Sequence, residues 1–330
     1  MRNQASALFT DPKDQEAFLQ ALVLGQSREQ MLIVLEDKPQ IKTFPRLPAW
    51  AWQPDWLVRI REDYRPGKHA LHEKGAYYVL DGSSAFAASA MLAIPLAPQR
   101  VLDLCSSPGG KAVFAWRAFA PEVLICNESM RNRTQTLIGN LERCHVASAI
   151  VGSADPSVWA RRTPDAFDLV IVDAPCSGQS LMAKGNSAPG AWDPKQTDMN
   201  VNRQRRILGN AVRCVRPGGH VLYMTCTFTR KENEKVIEWL LREHAEFEAV
   251  EVPALTAFRS SHSEFPSYRL FPQSGIGAGA FSCLVRRKGS AELPELGEYP
   301  KMWWYGMPPP VVPAKTEMDC ITENDSSGDQ

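Results

Sequence analysis

The sequence predicts an α/β protein of the doubly wound kind, in which a mostly parallel, seven-stranded sheet follows a small N-terminal part. Three observations support this prediction. The chain of 330 residues is long enough for about two domains, or for one large α/β unit with an appendage. After Asp81, short apolar runs alternate with helical segments, which is typical of a parallel sheet covered by helices on both faces. One of these runs, residues 101–104, passes directly into a glycine-rich turn and a helix.

Composition limits the classes of partner. The chain is 44% hydrophobic and 22% charged, which is ordinary for a folded protein. Its 37 basic side chains match 37 acidic ones, so no overall positive field attracts nucleic acid or anionic lipid, and any such contact must be local. The longest apolar stretch, residues 85–98, is too short to cross a bilayer, and the polar N-terminus resembles no signal segment. We therefore expect a cytoplasmic protein, a monomer, with no membrane partner.

The cysteine pattern argues against metal and disulfide frameworks. Eight cysteines are scattered along the chain without a C-x-x-C pair, and the six histidines are dispersed. Zinc sites and disulfide scaffolds both require closer or more regular spacing. We expect free thiols and no metal site.

Residues 1–74 are predicted to form a small, mainly helical N-terminal part with a possible role in RNA binding. Asp11 followed by Pro12 predicts the start of a helix, and Ser27 with Gln30 has the spacing of a capping box. Residues 38–65 then interleave prolines with three tryptophans and predict an irregular connector. Its indoles could stack on bases, but packing of one domain onto another is the favoured interpretation.

Residues 75–288 are predicted to form the main domain. Its seven candidate strands are residues 100–105, 123–127, 148–151, 168–173, 220–226, 249–252 and 281–286. Two helical faces are apolar, one with Leu137, Leu141 and Cys144 and the other with Val236 and Leu240. Residues 289–330 begin with prolines and end in a tail with five acidic side chains and one lysine, which we expect to be disordered.

The turn after the first strand of this domain carries the signal for a cofactor. Its glycines, Gly109 and Gly110, allow the backbone to approach a ligand closely, although a tight turn without a ligand would need them too. The next strand ends at Glu128, where an acidic side chain typically binds the hydroxyls of a ribose. Without a dinucleotide motif, the combination favours S-adenosylmethionine. Asp155 could accept from its adenine, or could simply begin a turn with Pro156.

Two cysteines follow neighbouring predicted strands. Asp173 and Cys176 come after the fourth strand, and Cys226 ends the fifth. Because ligands of open α/β sheets bind at the carboxyl ends of the strands, both thiols can share a pocket with the cofactor. A thiolate that adds to carbon 6 of a pyrimidine activates carbon 5 for methylation, and Asp173 could stabilise the protonated ring. Either cysteine alone would more simply be a buried core residue.

The chain carries three sequence motifs, LDLCSSPGGK, DAPCSG and TCT, in this order, and they are followed by Glu232-Asn-Glu234. In these motifs the chain resembles the Sun family of RNA cytosine-5 methyltransferases. The resemblance spans about residues 75–288 and implies a Rossmann-like, class I methyltransferase fold. It implies that Cys226 is the nucleophile and that Cys176 assists release of the product. It also implies cofactor contacts at Cys105, Ser106, Ser107, Pro108, Gly109, Gly110, Lys111, Glu128, Arg133, Asp155 and Asp173.

A segment rich in arginine, residues 200–216, is the best local candidate for contact with RNA phosphates, although it could be a solvated helix face. The candidate RNA-binding side chains are Arg203, Arg205, Arg206 and Trp192. Trp192 follows a flexible, glycine-containing stretch and could stack on a base or anchor the loop. Glu232 stands three residues after Thr229, so we expect it to be a helix cap.

The sequence leads to one main hypothesis and two alternatives. The main one is S-adenosylmethionine-dependent methylation of an RNA cytidine, single-stranded or flipped out, with rRNA favoured over tRNA. A DNA cytosine-5 methyltransferase would use Cys176 as its nucleophile, and the presence of Cys226 argues against that. A non-catalytic RNA-binding or ribosome assembly factor would not need both thiols.

Overall fold

A computed structural model describes residues 1–27, 29–147 and 149–295 and the backbone of Met302–Trp304. The α-helices are α1 Arg2–Leu8, α2 Pro12–Leu24, α3 Pro39–Lys42, α4 Ala70–Glu73, α5 Gly82–Ser89, α6 Gly110–Phe119, α7 Arg131–Arg143, α8 Pro156–Arg162, α9 Ser180–Ala183, α10 Pro194–Cys214 and α11 Glu234–Glu243. The strands are β1 Gln30–Val34, β2 Leu57–Ile60, β3 Tyr77–Asp81, β4 Arg100–Asp103, β5 Val123–Asn127, β6 Ala149–Gly152, β7 Phe167–Asp173, β8 Val215–Thr225, β9 Phe247–Ala249, β10 Tyr268–Leu270, β11 Ala280–Arg287 and β12 Met302–Trp304.

The N-terminal part is built around a three-stranded antiparallel sheet in the order β2-β1-β3. The expectation of a mainly helical segment was therefore incomplete. The helix start at Asp11 is confirmed, since its carboxylate accepts a hydrogen bond from Lys13 N at 2.8 Å. The capping box at Ser27 is wrong, because Gln30 begins β1, whose three central side chains are buried. The sheet takes its third strand from residues after 74.

The connector of residues 38–65 packs against the main domain and contributes β2 to the N-terminal sheet. The Trp52 ring lies 5.7 Å from that of Phe86, and the Trp56 ring lies 4.9 Å from that of Phe114. Both phenylalanines belong to helices α5 and α6 that flank the central sheet. These indoles join two parts of the molecule, as the packing interpretation expects.

The central sheet has nine strands, eight of them in the order β10-β11-β8-β7-β4-β5-β6-β12, with β9 paired to β11. Strands β8, β7, β4, β5 and β6 run parallel, which confirms the doubly wound fold. The chain enters the sheet at β4 and later returns to β7 on its other side, so the strand order reverses beside β4. Clefts at such a reversal are where ligands of this architecture bind.

Six of the seven predicted strands are present, five of them with shifted ends, whereas the strand predicted at residues 249–252 corresponds to β9, which shares only Ala249 with it. Short strands β10 and β12 extend the sheet. Strand β8 begins five residues before the predicted start at His220, because Val215 already pairs with Phe167 of β7. Strand β12 lies in the predicted disordered tail and pairs with β6, which corrects that prediction for its three residues. Residues 289–295 have no helix or strand, and the acidic end of the tail lies outside the described residues.

Apolar side chains fill both faces of the central sheet. One core cluster joins Val101 and Leu169 to α5, α6 and α7, and the other joins Leu102 and Val170 to α8, α10 and α11. Strands buried on both faces are characteristic of a parallel sheet between helices. The predicted apolar faces of α7 and α11 are confirmed by full burial of Leu137 and Val236. No described helix is long and apolar enough to cross a membrane.

Candidate active site

The sequence-predicted site residues follow the carboxyl ends of five adjacent parallel strands. Cys105 to Lys111 follow β4, Glu128 follows β5, and Asp155 follows β6. Asp173 ends β7, with Cys176 just beyond it, and Cys226 comes directly after β8. The structure therefore brings residues that are distant in sequence to one edge of the sheet.

The glycine-rich turn between β4 and α6 is held tightly. Gly109 has a φ of +109°, and a Cβ on Gly110 would lie 2.7 Å from Leu80 Cδ1, so both positions need glycine. Within the turn, Gly109 N donates to Ser106 O at 2.7 Å. Asp103 Oδ2 and Ser106 Oγ are buried and have no hydrogen-bond partner among the described residues. Buried polar atoms are seldom left unpaired, so these two fit a site that receives a polar ligand.

Asp103 lies under this turn and is fully buried. Burial, reinforced by the nearby Asp173 carboxylate, raises the pKa of Asp103 to about 7. Its Oδ1 accepts a hydrogen bond from Cys105 N at 3.2 Å, which fixes the start of the turn.

Glu128 and Arg133 connect the turn to the end of β5. Glu128 Oε2 lies 3.2 Å from Arg133 Nη1, and Arg133 Nη2 donates to Ser107 O at 2.8 Å. Glu128 Oε1 also accepts from Met130 N at 2.9 Å. The structure thus places the carboxylate expected to bind a ribose directly beside the glycine-rich turn.

Asp155 is the N-cap of α8, where it accepts from Ser157 N at 3.0 Å. Its Oδ2 lies 2.7 Å from Arg206 Nη1 of α10. Burial is the largest single effect and opposes ionisation of Asp155, but the hydrogen bonds from Arg206 and Ser157 and the charge of Arg206 together outweigh it and lower the pKa of this carboxyl. The turn interpretation is confirmed by this N-cap, and contact of Asp155 with an adenine stays a prediction. The neighbouring Ala154 exchanges hydrogen bonds of 3.0 Å with Asn127 beside Glu128.

The two candidate catalytic thiols are in contact. Cys176 Sγ lies 3.3 Å from Cys226 Sγ. Next to them, Lys111 Nζ lies 2.7 Å from Asp173 Oδ2 and donates to Ser84 Oγ at 3.2 Å. The sequence predicted Lys111 only as a cofactor contact and missed its ion pair with Asp173. The ion pair could have been predicted, because Lys111 follows β4 and Asp173 ends β7, and these neighbouring strands bring the residues after them together.

The pKa values of the two thiols are shifted in opposite directions. The hydrogen bond from Cys176 lowers the pKa of Cys226, against the effect of burial, and Lys111 contributes in the same direction. The same hydrogen bond, together with burial, raises the pKa of Cys176 far above the ordinary thiol range. Asp173 raises the pKa of Lys111 even though burial opposes its charge. Cys226 is therefore the thiol that ionises first, with Cys176 as its hydrogen-bond donor.

The four RNA-binding candidates do not form one basic surface. Arg206 is paired with Asp155, and the Arg205 guanidinium lies 5.6 Å from the centre of the Trp239 ring. Trp192 donates from Nε1 to Met182 Sδ at 3.1 Å and packs against the N-terminal helices, so it anchors its loop. Arg203 is exposed, and no ion pair to it occurs within the part of the chain that the structure describes. Contact of these side chains with RNA stays a prediction, and Arg203 is the arginine among them that is paired with neither a carboxylate nor a ring in the described residues.

The predicted contact of Glu232 with Thr229 is present, since Glu232 N donates to Thr229 Oγ1 at 3.1 Å. Glu232 nevertheless does not cap a helix, because α11 begins at Glu234 with Asn233 at its N-cap. The Glu232 side chain is buried between the segments that follow Cys176 and Cys226. Within residues 1–27, 29–147 and 149–295, no group of three or more His, Cys, Asp or Glu side chains is arranged to hold a metal ion.

The mostly parallel sheet with flanking helices and its cofactor-type turn define the Rossmann-like methyltransferase class, here with a thiol pair at the edge of the sheet. Residues 90–286 match the family described as 16S rRNA methyltransferase RsmB/F. The chain belongs to this family.

Curated relatives agree with this placement. The chain is 30% identical to the ribosomal RNA small subunit methyltransferase F of Klebsiella pneumoniae (strain 342), over 76% of this chain and 54% of that protein. It is 32% identical to the protein of the same name from Escherichia coli O9:H4 (strain HS), over 72% of this chain and 50% of the relative. The chain spans about half the length of these curated relatives.

A solved structure titled NSun6 from Pyrococcus horikoshii with SFG superposes with a TM-score of 0.70 and 16% identity. The match covers 88% of this chain and 98% of that one. At this identity the likeness concerns the fold alone, and it extends over nearly the whole described chain.

Proposed function

We propose that this protein transfers a methyl group from S-adenosylmethionine to carbon 5 of a cytidine in RNA, through a covalent bond between Cys226 and carbon 6 of the base. The observation that carries the proposal is the contact of 3.3 Å between Cys176 Sγ and Cys226 Sγ beside the Lys111–Asp173 ion pair. Family membership and the names of the relatives favour rRNA over tRNA as the substrate.

The residues around the glycine-rich turn suit the cofactor. Unpaired buried atoms of Asp103 and Ser106 can satisfy polar groups of a ligand, and Gly109 and Gly110 let the backbone come close. The cofactor contacts we propose are Cys105, Ser106, Ser107, Pro108, Gly109, Gly110, Lys111, Glu128, Arg133, Asp155 and Asp173. When bound, S-adenosylmethionine supplies an electrophilic methyl group.

Cys226 makes the base reactive. Carbon 5 of cytosine is a poor nucleophile, and addition of the Cys226 thiolate to carbon 6 moves the electron pair of the double bond towards carbon 5. Asp173 accepts a hydrogen bond from the exocyclic amine or the protonated N3 of the base, which stabilises the ring while it carries the adduct. Lys111 holds the Asp173 carboxylate in place through Oδ2.

Cys176 serves the release step. After methylation, loss of the carbon 5 proton to a base returns an electron pair to the ring, and the bond between carbon 6 and Cys226 Sγ breaks. The departing sulfur leaves as a thiolate, which the Cys176 S–H, whose sulfur lies 3.3 Å from Cys226 Sγ in the free protein, stabilises by donating a hydrogen bond.

The substrate base must reach these thiols at the edge of the sheet. A cytosine inside a duplex is inaccessible to such a pocket, so a single-stranded or flipped cytidine is expected. Arg203 on α10 is our candidate for a phosphate contact, and the role of residues 1–74 in RNA binding is a further proposal.

The test is tritium transfer from labelled S-adenosylmethionine to total RNA from a strain that lacks this protein, followed by nucleoside analysis. We expect label in 5-methylcytidine with the wild type and none with Cys226→Ala. Cys176→Ala should accumulate a denaturation-resistant protein–RNA adduct, because release is impaired. Cys144→Ala, a buried thiol outside the site, is the matched control and should retain transfer.

Other outcomes would identify a different function. Loss of all adduct with Cys176→Ala, while Cys226→Ala still forms one, would assign the nucleophile to Cys176 and favour a DNA-type mechanism. Absence of label on free RNA and on ribosomal particles, despite measured cofactor binding, would contradict the enzyme proposal and favour a non-catalytic assembly factor.

A further inference from the structure

Glu232 is a fully buried carboxylate between two loops, residues 174–179 with Cys176 and residues 226–229 with Cys226, which we call the two cysteine loops. The chemistry proposed above does not use it. In the described part of the chain, its hydrogen-bond donors are all neutral groups. Burial of a charge without a cationic partner is costly unless several hydrogen bonds compensate for it. Helix capping does not explain this buried carboxylate, because Glu232 lies before the start of α11 and Asn233 is the N-cap.

The hydrogen bonds to Glu232 satisfy both carboxylate oxygens. Oε1 accepts from Ser177 N at 2.9 Å and from Gln204 Nε2 at 3.0 Å. Oε2 accepts from Ser177 Oγ at 2.7 Å and from Thr229 Oγ1 at 3.1 Å. Hydrogen bonds to an ionised acceptor are stronger than those between neutral groups, so this set fixes its donors firmly.

These donors connect the two thiols. Ser177 follows Cys176, and its hydroxyl also lies 2.6 Å from Thr227 Oγ1, the residue after Cys226. Gln204 reaches the same loop from α10, because its Nε2 also donates to Pro175 O at 3.0 Å. The carboxylate thereby holds residues 175–177 against Thr227, which keeps the two sulfur atoms in contact.

The charge of Glu232 acts differently on the two thiols. It raises the pKa of Cys176, adding to the larger effects of the hydrogen bond with Cys226 and of burial. Lys111, in contrast, is the cation that favours ionisation of Cys226. The Asp173 carboxylate, which pairs with Lys111, opposes ionisation of Cys226, so the hydrogen bond from Cys176 is the main influence that favours the Cys226 thiolate.

We propose that Glu232 is a positioning residue that clamps the two cysteine loops together and keeps Cys176 as the protonated partner of the Cys226 thiolate. The proposal rests on the proposed function only in naming Cys226 as the attacking thiol. Removal of the charge should bring the two thiols closer in reactivity, whether or not the RNA substrate is present.

The experiment measures which thiol is alkylated. The full chain is exposed briefly to iodoacetamide at neutral pH, and mass spectrometry of peptides gives the ratio of modified Cys226 to modified Cys176. In Glu232→Gln we expect this ratio to fall about tenfold, which corresponds to a relative change of about one pKa unit between the thiols. Glu232→Asp keeps the charge and should keep the ratio near that of the wild type.

Controls separate this role from folding and from the proposed function. Glu243→Gln removes an exposed carboxylate of α11 and should leave the ratio unchanged. If Glu232→Gln does not fold, Ser177→Ala replaces it, because it removes the hydroxyl that links Glu232 to Thr227. An unchanged ratio in the folded variant overturns the proposal. A wild type that fails to methylate RNA but shows the ratio and its loss would contradict only the proposed function.

Discussion

At the scale of single residues, the different character of the two thiols follows from their neighbours. The Cys226 thiol receives a hydrogen bond from Cys176 and lies near the Lys111 ammonium, and both lower its pKa. Cys176 donates that hydrogen bond and lies near the Glu232 carboxylate, and its pKa is raised. Two cysteines of identical chemistry thereby differ in pKa, as the proposed roles of nucleophile and proton-bearing partner require.

The first prediction concerns Lys111. Replacement by Met in Lys111→Met removes the cation that favours the Cys226 thiolate, so the pKa of Cys226 should rise. Alkylation of Cys226 increases with pH as the thiolate forms, and its midpoint should move to higher pH by about one unit. The measurement is the rate of iodoacetamide labelling at Cys226 between pH 6 and pH 10.

A lysine outside the site provides the control. Lys235→Met removes an exposed ammonium that pairs with Glu238 on α11, and it should leave the midpoint where it is. If Lys111→Met also left the midpoint unchanged, the proposed electrostatic role of Lys111 would be wrong.

At the scale of secondary-structure elements, the turn between β4 and α6 shows how closely packing limits a binding loop. Gly110 begins α6 directly against β3, where the side chains of Leu80 and Tyr78 leave no room for a Cβ. The same helix N-terminus carries Lys111 towards Asp173. The position of Lys111 therefore depends on the close approach of a helix to the N-terminal sheet.

The second prediction concerns this approach. In Gly110→Ala the new methyl group would lie 2.7 Å from Leu80 Cδ1 and 3.1 Å from Tyr78 Cε1. We expect a loss of roughly 1–3 kcal/mol in the free energy of unfolding, as for other overpacked sites, and weaker cofactor binding. Urea denaturation and calorimetry with S-adenosylmethionine measure the two effects.

Gly139→Ala is the matched control, since a Cβ at this α7 position meets no atom within 4 Å. It should stabilise the helix by about 0.5–1 kcal/mol and leave cofactor binding intact. Equal effects of the two substitutions on stability and cofactor binding would contradict the prediction that crowding at Gly110 causes the loss.

At the scale of the whole molecule, the N-terminal helices support the loops of the catalytic site. Phe18 of α2 packs edge-on against Phe228, two residues after Cys226, with the ring centres 5.0 Å apart. Gln179, just beyond Cys176, is fully buried, accepts from Phe228 N at 3.0 Å and exchanges hydrogen bonds with Gln4 of α1. The N-terminal part and the thiol site therefore belong to one packed unit.

The third prediction tests this support. Phe18→Ala should cost roughly 3–5 kcal/mol of unfolding free energy, because it leaves a cavity among Phe9, Phe228 and Phe271. The cavity lies next to the Cys226 loop, so methyl transfer should slow as well. Val23→Ala on the same helix, at a side chain that is 74% exposed, should change stability by less than about 0.5 kcal/mol. Urea denaturation and transfer rates at one temperature give both comparisons.

The N-terminal sheet is the largest feature that sequence patterns did not predict. Strand β1 is short, and β2 and β3 lie far from it along the chain, so their pairing depends on contacts between distant segments. Local patterns carry no information on such pairing. The contacts of the α10 arginines were not predictable for the same reason, since the ion pair with Asp155 and the packing on Trp239 depend on neighbouring elements.

The sequence by itself determined the doubly wound sheet and the edge of it at which Cys176 and Cys226 lie, because strand and helix periodicity and turn chemistry are local properties. Tertiary structure decided the Lys111–Asp173 ion pair, the buried place of Glu232 and the unequal proton affinities of the thiols. These depend on burial and on distances of a few ångströms between residues far apart in the chain, and electrostatic interactions change steeply over such distances in a desolvated site.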